Sequence, residues 1–440
     1  MTQNIRRREF LKAGAALAAF HALPGRVRAA SPSGKLRTAH IGVGGMGGSD
    51  LGSVSSHAKV EVAALCDVDL RNIQRAREDH PQARQFRDYR ELFTEMADSI
   101  DAVVVSTPDH THAAAAMTAM NHGKPVYCQK PLTHDIYEAR QLRLASERTG
   151  LPTQMGIQGH ASVRNRAATE MIQSGILGKV SRVVAWSFKN WGYDGGPLTG
   201  EDPVPDNLDW NPWIGTAAMR PFERGAYHPS NWRKMIDFGT GTLGDMGVHI
   251  FDTPYRALQL TAPKWAKTSC RPPTGLGHPE QNRVEYEFPG TKYTTDSMSW
   301  VWYDGNLAPP AAKEVSLPEG LELPRQGAVL VGEEGVMLLP HGNGIQLFPE
   351  EKFKDVAPPD LPRLDHYHEW VDACLGEGRP SANFSYAGPL TEALLLGVVA
   401  NRFPDTQLIW DAEKMEVTNV SDANKLLRRT YREGFEVEGL

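Results

Sequence analysis

Residues 36–47 read LRTAHIGVGGMG, and the fold turns on how that run is read. Leu36–Ile41 has the pattern of a short strand. It runs directly into Gly42, Gly44 and Gly47, with Met46 beside the last, and a helix-like segment continues toward Ser56. A strand closing on glycines that open a helix lets the backbone approach a pyrophosphate, which then sits at the positive end of the helix. GxGxxG alone decides little, because glycine-rich turns are common. A second strand, VEVAALCD, ends at Asp67, about twenty residues past Gly47. A carboxylate there holds the ribose hydroxyls of NAD and repels the 2′-phosphate of NADP, so NAD is expected and NADP disfavoured. The alternative is a Rossmann-like unit that has lost its cofactor.

Strand–helix alternation continues outward from this unit. Ala102–Ser106 reads as a buried strand closed by TPDHTH, and an alanine-rich helix then runs to about Gly123. PVYC (residues 125–128) ends in Gln129-Lys130-Pro131, a helix covers Ile136 to Thr149, and Thr153–Gly156 is a further strand. Such alternation makes a doubly wound parallel sheet, whose ligands bind beyond the carboxyl ends of the strands. Thr107, Pro108, His110, His112, Gln129 and Lys130 all fall at such ends and are expected to contact the cofactor. His110/His112 and His366/His368 are pairs without a third partner, and Cys66, Cys128, Cys270 and Cys374 form no CxxC, so no metal site is expected.

The second half changes character. Lys179–Phe188 alternates like a strand, but residues 190–240 are rich in Trp, Tyr, Gly, Pro and Asn. This excursion either packs between domains or stacks aromatic faces on sugar rings. On the second reading, His160, Trp191, Tyr193, Tyr227, His228, Trp232 and Arg233 are substrate candidates. GTGTLGDMGVH (residues 239–249) follows, with a helical pattern from Asp245 to about Leu260. Asp245 and His249 are four apart and share a helix face, as an exposed pair or as an acid–base set. Histidine titrates near neutrality and suits removal of a hydroxyl proton, while Lys130 can steady a developing alkoxide. Strands from Arg283 to Trp302 and from Ala328 to Leu339 indicate an α+β domain with a largely antiparallel open sheet.

The N-terminus is read separately. RREFLK (residues 7–12), an apolar stretch from Ala13 to Leu23 and the small-residue site Val27-Arg28-Ala29 have the order of a twin-arginine signal peptide. Residues 1–30 hold six basic residues and one acidic one, so the remainder carries −11 against −6 for the whole chain. That charge argues against nucleic acid and anionic lipid as partners. The expected divisions are 1–30 signal peptide, 35–156 Rossmann domain, 157–403 α+β substrate and oligomerisation domain, and 404–440 C-terminal segment, with the C-terminal helices free to pack back on the first domain.

GVGGMG, Asp67, STPDHTH, QKPL and GTLGDMGVH, in this order, resemble the glucose–fructose oxidoreductase/inositol 2-dehydrogenase (Gfo/Idh/MocA) family over roughly Leu36 to Phe403. The resemblance implies that Lys130 acts beside the nicotinamide and that Asp245 and His249 complete the active site. The family usually shows Glu-Lys-Pro where this chain has Gln129-Lys130-Pro131. QMGIQGH, LDWNPWIG and NWRKMIDFGTG look like an exported branch acting on sugars and glycosides. Members often pair through the open sheet, which implies a homo-oligomer; no cysteine follows the apolar N-terminal stretch and no run of eighteen apolar residues occurs, so no membrane anchor is expected. The leading expectation is an NAD-dependent oxidoreductase acting on a secondary hydroxyl of a sugar, glycoside or cyclic polyol. A redox-neutral enzyme with retained NAD, a glycosidase or a sugar–sugar oxidoreductase, is the alternative, and a non-catalytic sugar-binding protein is third. The twin-arginine machinery exports folded proteins, so a periplasmic or secreted product would carry tightly bound NAD.

Overall fold

A computed structural model describes residues 34–440. The signal-peptide reading of residues 1–30 lies outside the described residues. Strands β1 (Leu36–Ile41), β2 (Val60–Cys66), β3 (Arg84–Phe86), β4 (Ala102–Val105), β5 (Val126–Gln129) and β6 (Thr153–Gly156) form one sheet in the order β3-β2-β1-β4-β5-β6. Every neighbouring pair is parallel. The central AVVV strand is buried throughout, as expected where helices cover both faces of a parallel sheet. Ile41 aligns with Cys66 and Val105, and Val105 with Cys128. That register brings Gly42, Asp67, Ser106 and Gln129 out along one edge. Side-chain caps start the connecting helices: Asp69 for Leu70–Asp79, Asp88 for Tyr89–Met96, and a reciprocal Asp135/Glu138 box for Ile136–Thr149.

The remaining strands are β7 (Val180–Ser187), β8 (Trp265–Ser269), β9 (Arg283–Pro289), β10 (Thr294–Asp304), β11 (Gln326–Gly332), β12 (Val336–Pro340), β13 (Gln346–Phe348), β14 (Gln407–Asp411) and β15 (Glu416–Val417). They form a nine-stranded sheet in the order β13-β12-β11-β7-β10-β9-β8-β14-β15. Only β7 and β10 pair in parallel. The inner face packs Trp300, Trp302, Tyr286 and Phe288 against Phe251 and the helix Phe384–Ala400. The sheet is open and largely antiparallel, as expected, and its outer face is half covered. Residues 305–323 fold over Val184, Trp186, Val301 and Tyr303 with Val315 and Leu317 buried beneath, while the other half presents Lys267, Glu285, Glu287 and Ser297.

C-terminal elements pack against helix Ile136–Thr149. Helix Phe384–Ala400 lies along Ile136–Thr149, where Arg140 donates to both Glu392 oxygens at 2.8 and 2.5 Å. Beyond it the tail straps the molecule: Arg429 donates to Glu138 at 2.8 Å, Tyr431 to Glu138 at 2.7 Å and Arg432 to Gly215 O at 3.0 Å. Phe435 is buried between the guanidiniums of Arg90 and Arg432, 3.8 and 4.2 Å from its ring centroid.

Candidate active site

A cavity of about 530 Å³ opens along the carboxyl edge of the parallel sheet, within the range of small-ligand pockets. Gly42, Gly44, Gly45 and Met46 form one lip. Gly42 has φ +82°, and a Cβ there would lie 2.5 Å from Ser106 O, so the turn requires glycine. Gly45 stands at the start of helix Met46–Ser55, which has no side-chain cap, and a Cβ on Gly45 would meet nothing within 4 Å. An uncapped helix N-terminus facing open space fits a pyrophosphate. Asp67 borders the same cavity, with Oδ2 accepting from Val43 N–H at 2.9 Å and Oδ1 from Asp69 N–H at 2.8 Å. Those bonds fix a carboxylate with lone pairs left for ribose hydroxyls.

The far wall comes from the aromatic excursion. Leu70 N–H donates to Asn207 O and Asp209 N–H to Val68 O, at 2.9 and 2.8 Å. Asp69 accepts from the Asn207 amide at 2.8 Å and lies 3.1 Å from His228 Nε2. Burial alone would raise the Asp69 carboxyl, but Arg71, Asn207 and His228 hold it below the usual carboxylate range. Trp213, His228, Pro229, Trp232 and Arg233 therefore roof the cavity. Within the excursion, Trp210 and Trp213 stack at 4.7 Å and pack with buried Tyr227 and Phe238, while Trp232 also lines the cavity.

At the opposite end, Lys130 Nζ donates to Asp245 O at 2.9 Å and to Asp245 Oδ1 at 2.8 Å. Arg233 Nε donates to the same Oδ1 at 3.2 Å. Burial would raise the Asp245 carboxyl, yet the two cations hold it below its ordinary range. The helix carrying Asp245 opens with a π-turn over Leu243–Gly247 before becoming α-helical at Val248–Ala257. Such turns often mark functional positions, and the wider turn changes the facing expected from a four-residue spacing. His249 accordingly makes no hydrogen bond to Asp245 and does not line the cavity. It lies 5.7 Å from His341, centroid to centroid, and burial together with the Lys130 charge pushes it well below the usual histidine value.

Comparison with known proteins matches this arrangement to one family. Residues 36–157 match the Gfo/Idh/MocA model described as an oxidoreductase family with an NAD-binding Rossmann fold. Residues 161–260 match the companion model, the C-terminal alpha/beta domain of that oxidoreductase family, and the two take in half the chain. The chain belongs to the Gfo/Idh/MocA oxidoreductase family. It is 32% identical over 147 residues to an inositol 2-dehydrogenase of Arthrobacter sp. (strain FB24), covering 33% of this chain and 43% of that one. The chain thus spans less than half the length of such dehydrogenases. It is 25% identical over 394 residues to an alpha-N-acetylgalactosaminidase of Shewanella oneidensis, covering 72% of this chain and 84% of that one. An aldose–aldose oxidoreductase from Caulobacter crescentus, solved with glycerol, shares the fold at TM-score 0.57 and 15% identity, over 85% of this chain and 99% of that one.

Against the family pattern, Gln129 now has a physical setting. Its amide donates to both Asp50 oxygens at 3.0 and 2.9 Å, and its carbonyl accepts from Lys130 N–H at 3.1 Å. Asp50 also accepts from Ser106 at 2.7 Å and Tyr367 at 2.9 Å. Burial raises its carboxyl, and every partner is a neutral donor. A glutamate at 129 would set a second carboxylate against it.

Several expected contacts fall elsewhere. His110 and His112 do not face the cavity: His110 Nε2 is 3.1 Å from Trp213 O, and His112 sits 2.8 Å from both Pro131 O and Thr107 O, so both rings tie loops together. His160 is buried with Nδ1 2.7 Å from Asp252 Oδ1, which removes it from the cavity wall. Tyr193 donates to Gly196 O and Tyr227 is core. Trp191 lies outside the cavity lining, at 5.5 Å from the Arg233 guanidinium. Thr107, Pro108, Gln129 and Lys130 do line it. So does Asp109, which the sequence reading passed over inside STPDHTH. Its Oδ2 accepts from Thr240 at 2.7 Å, and burial pushes its carboxyl up to about 7 against the pull of Thr240, Arg233 and Lys130.

Proposed function

We propose that the protein is an exported, NAD-dependent oxidoreductase of a secondary hydroxyl on a sugar, glycoside or cyclic polyol, with NAD preferred to NADP and retained through turnover. The carrying observation is Lys130 Nζ fixed by Asp245 at the cavity, beside Asp109. A nicotinamide held at this edge would supply the hydride acceptor for the carbinol carbon. Lys130 uses two of its three hydrogens on Asp245 and keeps one to donate to the substrate oxygen, which favours the developing alkoxide. Asp109 takes the hydroxyl proton. A carboxyl near 7 is matched to neutral pH, whereas His249 is held too weakly basic for that role.

Holoenzyme mixed with candidate sugars and polyols tests this by nicotinamide absorbance. A substrate reduces the bound cofactor in the wild type, and Lys130→Met keeps the cofactor but loses the signal. Undiminished turnover in Lys130→Met overturns the reading.

A redox-neutral cycle is the second reading. It is favoured by the extent of the likeness to the galactosaminidase and by the roof over the cofactor end. A compartment without free NAD would suit an enzyme that restores its cofactor each turn. Aglycone release from a glycoside with no added NAD and no net reduced cofactor supports this cycle. Stoichiometric reduced cofactor supports the simple dehydrogenase.

A further inference from the structure

The substrate end of the site carries more positive charge than its own carboxylates balance. Lys130 and Arg233 share a single carboxylate, Asp245. Two further cations approach from other elements. Lys189 follows β7, and the segment it begins is held against the catalytic helix by Trp191 N–H donating to Thr242 Oγ1 at 2.7 Å. Lys189 is half-buried and forms no ion pair or side-chain hydrogen bond among the described residues. Arg164 donates to Pro340 O, to Asn343 O at 2.6 Å and to Asn165 Oδ1, all neutral acceptors, so its charge is not cancelled. These groups converge by topology. Ser187 Oγ donates to Gln326 Oε1 at 2.9 Å and His341 N–H to Gln326 O at 2.9 Å, which sets the ends of β7, β11 and β12 side by side. His341 on that edge reaches His249 at 5.7 Å.

We propose that this mouth holds an oxyanion carried by the substrate, making the substrate an anionic carbohydrate, carboxylated or sulfated, rather than a neutral one. The inference rests on the oxidoreductase reading only for calling the ligand a substrate. A solvated surface lysine is the ordinary fate of an unpaired cation, but composition does not account for this cluster, since the chain as a whole carries −6. Lys130 and Arg233 stand against Asp245 and Asp109, Lys189 and Arg164 add two cations from further segments, and burial together with these cations pushes His249 and His341 toward the neutral form. Neutral rings leave Lys189 and Arg164 as the groups that pair with an incoming anion. Charge-assisted bonds of this kind carry both affinity and selectivity.

The test is equilibrium binding by tryptophan fluorescence of the cofactor-loaded enzyme. Probes are matched pairs: glucuronate with glucose, galacturonate with galactose, and glucose 6-sulfate with glucose. Either the carboxylated or the sulfated members should bind about tenfold tighter than their neutral partners, and whichever class does so identifies the oxyanion. The preference should shrink with added salt. Lys189→Glu should reverse it and Lys189→Arg restore it. Equal binding of neutral and anionic members, or a preference that survives Lys189→Glu, overturns the proposal. Because binding is read without turnover, tight Lys189-dependent binding leaves this proposal standing even where undiminished turnover in Lys130→Met has overturned the oxidoreductase reading.

Discussion

The two ends of the cavity use carboxylates in opposite ways. At the Asp67 end, the backbone N–H groups of Val43 and Asp69 and the neutral Asn72 amide fix the acid. At the Asp245 end, two cations from residues 115 and 12 positions away hold one acid, and a second acid, Asp109, is left close to neutrality. Backbone donors give a fixed geometry that binds a constant partner. Side-chain cations give a charge balance that can change when a proton moves. The first end thus suits a cofactor and the second suits chemistry.

The sharpest way to break that contrast is Lys130→Met. Asp245 keeps Arg233, so the fold and cofactor content should persist, while kcat falls about a thousandfold. Loss of cofactor along with activity would show that the two ends are not separate. Next is Asp109→Asn, expected to lower kcat about a hundredfold and to change its pH dependence. Burial raises the folded carboxyl to about 7, so the acid is protonated below that pH and becomes the base as pH rises. Wild-type oxidation should therefore climb through about pH 7, and Asp109→Asn should flatten that limb. A limb unchanged in Asp109→Asn assigns the proton elsewhere.

The region between the two ends offers a stability test. Gln129→Glu places a carboxylate against buried Asp50. Two such groups in contact cannot both stay ionised, so one is raised further. A raised carboxyl stabilises the fold while protonated and loses that contribution as pH rises through its folded value. The variant should lose about 2 kcal/mol at pH 8 and much less at pH 5, read from denaturant unfolding. An equal loss at both values would mean that packing, not charge, selects glutamine.

What the sequence revealed follows the same division. β1, β2, β4, β5 and β6 were legible because each strand ends in its own turn within a few residues, and Lys130 and Asp67 stand at those ends. Asp109 was overlooked because its character depends on Thr240, 131 residues away, and nothing local marks it. His160 misled for the converse reason: Asp252, 92 residues on, claims the ring. The Asp245/His249 spacing presumes an α-helix, and the chain makes a π-turn there. The strap beyond residue 404 was invisible because Arg429 reaches Glu138 across 291 positions. Gln129 was noticed as a departure, and only the fold supplied its partner.

The smallest effect tests the roof. Asn207 and His228 come from the excursion and bond Asp69, two residues from Asp67. Truncating both, Asn207→Ala with His228→Ala, leaves Asp69 paired with Arg71 and keeps the two backbone bonds at Leu70 and Asp209. The wall should therefore loosen rather than fall away. Each lost bond to a charged group weakens closure by about 1–2 kcal/mol, part of which water restores, so cofactor release should quicken about tenfold. Chemistry at the other end is untouched, and the single-turnover rate of freshly loaded enzyme should stay near the wild-type value. Retention is measured as bound NAD surviving repeated gel filtration. If the double variant keeps its cofactor as long as the wild type, the roof is only a packing surface, and retention must come from the glycine turn and Asp67 alone.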